Sequence, residues 1–256
     1  MIGMIGGLTF AMPQSTTAPA APLNPALLED LVYANRILSD QGLLDAFGHV
    51  SVRDDKDPSR FWMSRSMAPA LVTSKDILEF DRDGAPLDAQ GRNVFVERFI
   101  HAAIYRARPD VKAIVHDHSV AVIPFGVTGT ALRPLFHMSA FLGGGTPIFE
   151  IRGAAGGATD MLIRDNNLGD ALARVLGERT MVLMRGHGAV VVGNSIQQVV
   201  LRAYYADVNA KLQAQAMALG KVDFLTPEEA AKATAALDAQ LGRPWELWKA
   251  RIGKIE

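Results

Sequence analysis

Two histidines close the apolar run Ala113–His118, which reads Ala-Ile-Val-His-Asp-His. On a strand, side chains two apart project from the same face, so His116 and His118 would converge from one edge as a chelating pair must. The plainer reading is a hydrogen-bonded pair at a strand end. A third histidine, His187, stands between Gly186 and Gly188. Glycine on either side lets the backbone bend sharply and approach a neighbour closely. Alone, His187 reads as an ordinary turn residue. With the pair it completes a three-histidine set with open positions, the pattern of a catalytic metal site and not of a closed structural one.

Around this set stand residues with two readings each. Glu97 and His101 are i and i+4 on one helical stretch and share a face. The Glu97 carboxylate could be the general acid or base beside a metal, or a solvated helical glutamate with a capping role. His49 and Ser51 alternate with Val50 and Val52, so they share one strand face, lining a site or capping a sheet edge. Arg65 lies between apolar stretches and could clamp a carboxylate with two parallel bonds, or sit in a surface ion pair. His137 is flanked by Phe136 and Met138 and fits either a pocket or the core.

These residues need elements to hold them. Apolar residues at helical spacing predict a helix over Leu23–Asp40, with Asn24-Pro25 as its start. Short strands are expected at Phe47–Arg53, Arg60–Ser64, Leu78–Asp81, Ala113–His118, Pro147–Ile151, Met181–Met184 and Ala189–Val192. Helices are expected over Glu97–Arg108, Leu168–Leu176 and Ser195–Leu219, and from Pro227 with Thr226 as cap. The segment after Gly220 could cover a neighbouring subunit's site, with Trp245 and Trp248 as an apolar lid, or form a solvent-facing amphipathic helix. Strands cluster between 47 and 95, so a mixed or mainly antiparallel sheet with helices on both faces is expected, in one α/β domain over residues 23–256. No Gly-x-Gly-x-x-Gly follows a strand, and Gly143-Gly144-Gly145 lacks the Lys-Ser/Thr of a phosphate loop.

Composition narrows the chemistry. The chain has 256 residues and no cysteine, which excludes disulfides, thiolate nucleophiles and iron–sulfur clusters. Any metal must therefore be held by His, Asp or Glu. A net charge of −1 argues against a dedicated nucleic-acid partner. Residues 1–22 read as a poorly ordered tail: the apolar run Met1–Met12 has no basic residue before it and is too short to span a bilayer. No later stretch is long and apolar enough to span one, and a cytoplasmic protein is expected.

The ordered combination Glu97-x3-His101, then Ile104–Ser119 with its His-Asp-His, then Arg185-Gly186-His187-Gly188, resembles the class II aldolase/adducin family over roughly residues 27–220. The resemblance implies an α/β/α sandwich around a mainly antiparallel central sheet, assembled as a homotetramer with sites near subunit interfaces. It implies that His116, His118 and His187 hold a divalent metal ion, Mn2+ or Zn2+, and that Glu97 is the catalytic carboxylate. The family's sugar-phosphate aldolases carry Gly-Asn-x-Ser-x-Arg where this chain has Gly48-His49-Val50-Ser51-Val52-Arg53. Their phosphate loop is replaced here by Ser64-Arg65-Ser66-Met67-Ala68-Pro69, and their Ser-Ser before the glutamate by Phe95-Val96. The family's epimerases have Asp at the Glu97 position. The chain is therefore most similar to the decarboxylase branch, whose members act on hydroxylated aromatic or pyridine dicarboxylates. That branch implies a small carboxylate substrate bound by His49, Ser51, Arg65 and Ser66. A metal-dependent retro-aldolase of an unphosphorylated hydroxy-keto acid would use the same residues. A non-catalytic module like the adducin head would be expected to have lost them.

Overall fold

Asn24 accepts the backbone N–H of Ala26 and Pro25 fills the first helical position, where no N–H is required, so α1 (Pro25–Asp40) starts where the Asn-Pro pair predicts. The computed structural model describes residues 23–255; the expected disordered tail at 1–22 lies outside the described residues. After α1 come β1 (His49–Arg53), β2 (Phe61–Ser64) and β3 (Ile77–Phe80), then α2 (Arg98–Ala107) and β4 (Ala113–Asp117). The short helix α3 (Ile123–Val127), strand β5 (Ile148–Phe149) and helices α4 (Arg152–Ala155) and α5 (Asn166–Leu176) follow. The hairpin β6 (Met181–Met184) and β7 (Gly188–Gly193) leads into α6 (Ile196–Leu219), α7 (Pro227–Asp238) and α8 (Gly242–Ile252).

The strands form one seven-stranded sheet in the order β3-β2-β1-β4-β7-β6-β5. Every neighbouring pair is antiparallel except β5 with β6. The fold is thus the α/β sandwich with a mainly antiparallel sheet that the clustered strands predict. All residues of β1, β4, β6 and β7 are buried, because helices cover both faces. On one face Val50, Val52, Val115 and Val191 pack with α1, α6 and α8. On the other Met63, Ile114, Val190 and Val192 pack with α2 and α5. Each such fully buried side chain contributes roughly 1.5–3 kcal/mol, which makes the central strands stiff supports for whatever their ends carry.

Several boundaries differ from the sequence expectation. β5 keeps only two of the five residues expected of it, and β4 ends at Asp117, leaving His118 just beyond the ladder. Glu97 precedes α2 and does not belong to it. Trp245 and Trp248 are buried against this chain's own α1 and α6, with Trp248 5.3 Å from the Tyr204 ring, so these two rings are not a lid on a neighbour; the other face of α8, with Glu246, Leu247, Ala250 and Arg251, is exposed, as in an amphipathic helix. Among the described residues no helix is long and apolar enough to cross a membrane.

Candidate metal centre

β1 and β4 pair antiparallel with His49 opposite His116, and β4 pairs with β7 so that His116 lies opposite Val190. This register puts His116 in the middle of the sheet, on the face covered by α2. His118 follows one step past the strand end. The β6–β7 turn delivers His187: Gly186 adopts φ +63, and the His187 N–H donates to the Met184 carbonyl at 3.0 Å. Gly188 passes so close to β4 that a β-carbon there would lie 2.0 Å from the Asp117 carbonyl oxygen. The glycines therefore do what their flanking positions predict, one turning the chain and one letting it approach.

The result is a cluster of four ligand atoms, from Glu97, His116, His118 and His187, all within 4.8 Å of one another. His118 Nε2 is 3.2 Å from His116 Nε2 and 3.0 Å from His187 Nε2. Glu97 Oε2 is 3.4 Å from His116 Nε2 and 3.5 Å from His187 Nε2. His116 Nδ1 lies 3.0 Å from the Ala189 carbonyl and His187 Nδ1 lies 2.9 Å from the Met161 carbonyl. A carbonyl can only accept, so both Nδ1 atoms carry protons and both Nε2 atoms turn lone pairs toward the centre. Met161 itself holds φ +70, a left-handed conformation unusual for methionine.

The donor set fits a divalent cation. Ligands about 2.1 Å from a common ion stand about 3.0–3.4 Å apart in octahedral or tetrahedral shells, and the four nearest spacings, 3.0, 3.2, 3.4 and 3.5 Å, lie in or just beyond that range. Converging lone pairs with their protons held elsewhere repel one another unless a positive charge sits among them. One carboxylate and three imidazoles with an accessible side form an open set, since His118 and His187 are only half-buried while Glu97 and His116 are buried.

The electrostatics of the ion-free protein agree. Burial alone would raise the Glu97 carboxyl, but the adjoining His116 and His187 outweigh it and hold the group well below the usual carboxylate range. Burial would lower His116, and Glu97 outweighs that in turn and raises it. Burial, then the charges of His116 and His187, pulls His118 down to about 4. Glu97 is no solvated helical residue: it makes no side-chain cap, is 7% exposed, and accepts the Ile163 N–H at Oε1 over 3.0 Å. Asp117 points to the opposite face, where its Oδ1 accepts the Ser119 N–H. The Ser119 hydroxyl donates to Asp207 on α6 at 2.7 Å, pinning the exit of β4.

The remaining candidates are placed as follows. His49 lies beside the cluster, its ring 5.1 Å from that of His116 and 4.6 Å from Phe95. Ser51 is fully buried and bonded to His101 Nδ1 at 2.6 Å and to the Tyr105 hydroxyl at 2.8 Å. His101, expected only to share a face with Glu97, instead bonds His49 Nδ1 through Nε2 at 2.7 Å. Arg65 pairs with Asp76 through Nε at 2.7 Å, and Ser66 is exposed. The β1–β2 register ends with Ser51 opposite Met63, and Arg65 follows just past the end of β2. His137 is exposed and lines a groove with Tyr205 and Leu247, away from the cluster. The carbonyls of Ala189 and Met161 and the N–H of Ile163 carry no sequence signal, because backbone groups do their work whatever the side chain.

Residues 29–214 match the Class II Aldolase and Adducin N-terminal domain. The chain belongs to the class II aldolase/adducin family. Within the family it is 38% identical over 235 residues to decarboxylase tropJ of Talaromyces stipitatus, covering 83% of this chain and 88% of that protein. It is 31% identical over 236 residues to the 3,4-dihydroxyphthalate decarboxylase of Terrabacter sp., covering 86% of this chain and 94% of that one. The solved L-fuculose 1-phosphate aldolase from Glaciozyma antarctica PI12 superposes with a TM-score of 0.72 at 24% identity, over 88% of this chain and 89% of that one. At that identity the likeness shows the shared fold alone.

Proposed function

We propose that this family member is a metal-dependent carboxy-lyase acting on a hydroxylated aromatic or pyridine carboxylate or dicarboxylate. The observation that carries this reading is the convergence of three imidazole lone pairs and the Glu97 carboxylate on one centre. The choice of decarboxylation over aldol cleavage is supported by the two decarboxylases to which most of the chain is similar.

Breaking a C–C bond leaves an electron pair on carbon, and the site must accommodate it. A divalent ion held by His116, His118 and His187 (Mn2+ or Zn2+) would supply Lewis acidity there. In an ortho-hydroxy carboxylate, a shift of the hydroxyl proton to the ring carbon that bears the carboxylate makes that carboxylate β to a ketone. Loss of CO2 then returns the bonding pair toward the ketone oxygen as an enolate. One proton from the site restores the ring hydroxyl. Glu97, anchored at Oε1 by Ile163, turns Oε2 to the centre beside His116 and His187, where it would carry that proton or orient the water that does. Arg65 would hold a second carboxylate with the guanidinium nitrogens that Asp76 does not use, and Ser66 would complete that substrate side, while Ser51, fully buried and bonded to His101 and Tyr105, would support it from within.

We read the described chain as one domain of a cytoplasmic homotetramer that binds neither nucleic acid nor membrane. Exposed Phe47, Val96, Val120 and Val127 support the tetramer, since each borders a residue of the cluster or the loop carrying it and would be covered by another subunit.

The test is CO2 release by Mn2+- and Zn2+-loaded protein over a panel of ortho-hydroxy aromatic and pyridine dicarboxylates. Metal-dependent release supports the reading. Silence across the panel, with an aldehyde or pyruvate released from hydroxy-keto acids, would overturn it in favour of aldol cleavage.

A further inference from the structure

A buried hydrogen-bonded chain runs from the edge of the cluster into the protein: His49 Nδ1 to His101 Nε2 at 2.7 Å, His101 Nδ1 to Ser51 Oγ at 2.6 Å, and Ser51 Oγ to the Tyr105 hydroxyl at 2.8 Å. All four residues are at most 5% exposed, with His101 and Ser51 at 0%. Both rings are buried, and among the described residues neither is ion-paired with a carboxylate, since Glu97 faces His116 and His187; a buried imidazole with no counter-charge is neutral. Each ring therefore carries one N–H, and each of the three contacts holds one proton.

Only two proton orders are possible, and they are not equivalent. If His49 Nδ1 donates to His101, then His101 Nδ1–H must donate to Ser51. The Ser51 and Tyr105 hydroxyls then hold two protons with one contact between them, and one proton has no acceptor among the described residues. In the opposite order the Tyr105 hydroxyl donates to Ser51, Ser51 donates to His101 Nδ1, and His101 Nε2–H donates to His49 Nδ1. The one proton left over is then that of His49 Nε2, on the ring that lies beside the cluster, 5.1 Å from that of His116. Each order leaves one donor over: in the first it is a hydroxyl enclosed with Ser51 and Tyr105, in the second the His49 N–H beside the cluster, where a bound oxygen can accept it, so the second order prevails.

We infer that Tyr105, Ser51 and His101 are positioning residues that lock His49 as a one-way hydrogen-bond donor, its Nε2–H directed to an anionic or hydroxyl oxygen of the substrate beside the metal centre. This deepens the proposed function and rests on it for the substrate. Its physical sense is that a neutral imidazole free to choose its tautomer would offer a donor or a lone pair. A lone pair facing a carboxylate or a developing enolate oxygen repels it. The buried chain removes that choice without placing a charge in the site. It also explains why Ser51 and His101 are fully buried on the α2 face although neither belongs to the cluster.

The test is 15N-histidine NMR of the zinc-loaded full chain, with salicylate as the ortho-hydroxy carboxylate probe. A lone-pair type Nδ1 and a protonated Nε2 at His49 are expected, with the Nε2–H signal shifting as salicylate is added. A protonated Nδ1, or a His49 signal indifferent to saturating salicylate, overturns the inference. His101→Gln, which keeps an N–H donor in place of Nε2, should retain the tautomer and bind salicylate within about threefold of wild type. His101→Leu should mix the tautomers and weaken binding about tenfold at unchanged zinc content; equal binding by both variants overturns the positioning role. Should His101→Leu not fold, the wild-type and His101→Gln spectra still decide. The tautomer does not depend on which bond the enzyme cleaves, so this inference and the decarboxylase reading fail separately.

Discussion

His49 and His116 face each other across the β1–β4 pair, one per strand, with ring centroids 5.1 Å apart. His116 sends its Nδ1 to the carbonyl of Ala189 on β7, while His49 sends its own to His101 on α2. Two identical side chains in one register row thus acquire different roles from the partner of one ring nitrogen. His116 turns a lone pair to the centre, and His49 belongs to a hydrogen-bonded chain beside it.

The centre should bind about one divalent ion per chain, and His118→Ala should abolish this. A ligand at a thousand times its Kd stabilises by about 4 kcal/mol, which in a chain of this size corresponds to a rise in Tm on the order of 10 °C. Chelation of wild type should reverse that rise, and the Ala variant should not respond to metal or chelator. Metal analysis with thermal denaturation checks it; a variant that still gains the shift would remove His118 from the ligand set.

Glu97→Gln keeps the oxygen that accepts the Ile163 N–H and loses the charge and the proton-carrying oxygen. The fold should be unchanged. At matched metal occupancy, kcat should fall by about 10²–10⁴, the usual yield of a positioned acid or base. Single-turnover CO2 release measures this step. Activity above a tenth of wild type would leave Glu97 a structural role only.

Gly188→Ala should be severe for its size. Its new β-carbon meets the Asp117 carbonyl oxygen at 2.0 Å, backbone against backbone, where neither strand can yield without parting β4 from β7. Overpacking of this kind costs about 1–3 kcal/mol or more. It also moves His116 and His118 away from His187. We expect a lower urea midpoint together with lost metal binding. A variant that keeps its metal content would show that the strands have more slack than their spacing allows.

Acid should unfold the ion-free protein partly through His101. Its ring titrates at about 3 in the fold against an ordinary 6.5, so between those values the unfolded chain binds a proton that the fold excludes. Stability from this group is fully present above about pH 6.5 and is lost as pH falls toward 3, by at most ~1.4 kcal/mol per pH unit. The depressed His49 acts in the same direction. Urea midpoints between pH 7 and 4 should decline, and His101→Gln should flatten the decline. An equal slope in that variant would assign the acid sensitivity to other groups.

Much of this was legible along the chain. His116-x-His118 after an apolar strand and the glycines around His187 point to the centre, because a strand's two-residue period and glycine's freedom are local properties. The ordered motifs likewise carry the family. Glu97 shows the limit: its spacing from His101 suggested a shared helical face, yet it stands before the helix, where Ile163, 66 residues on, orients it. The side chains of Trp245 and Trp248 read as a possible lid because their burial depends on α1 and α6, far away in sequence.

The sequence by itself determined which residues could be ligands, and that no cysteine competes with them. It also determined the alternation that sets Asp117 on the opposite face from His116. Only the tertiary structure decided that Glu97 closes the cluster and that Ser51 and His101 join Tyr105 in a buried chain. It alone set which nitrogen of His116 and of His187 faces the centre. Those outcomes depend on backbone carbonyls and on registers between strands distant in sequence, and a carbonyl is the same group at every position until the fold places it.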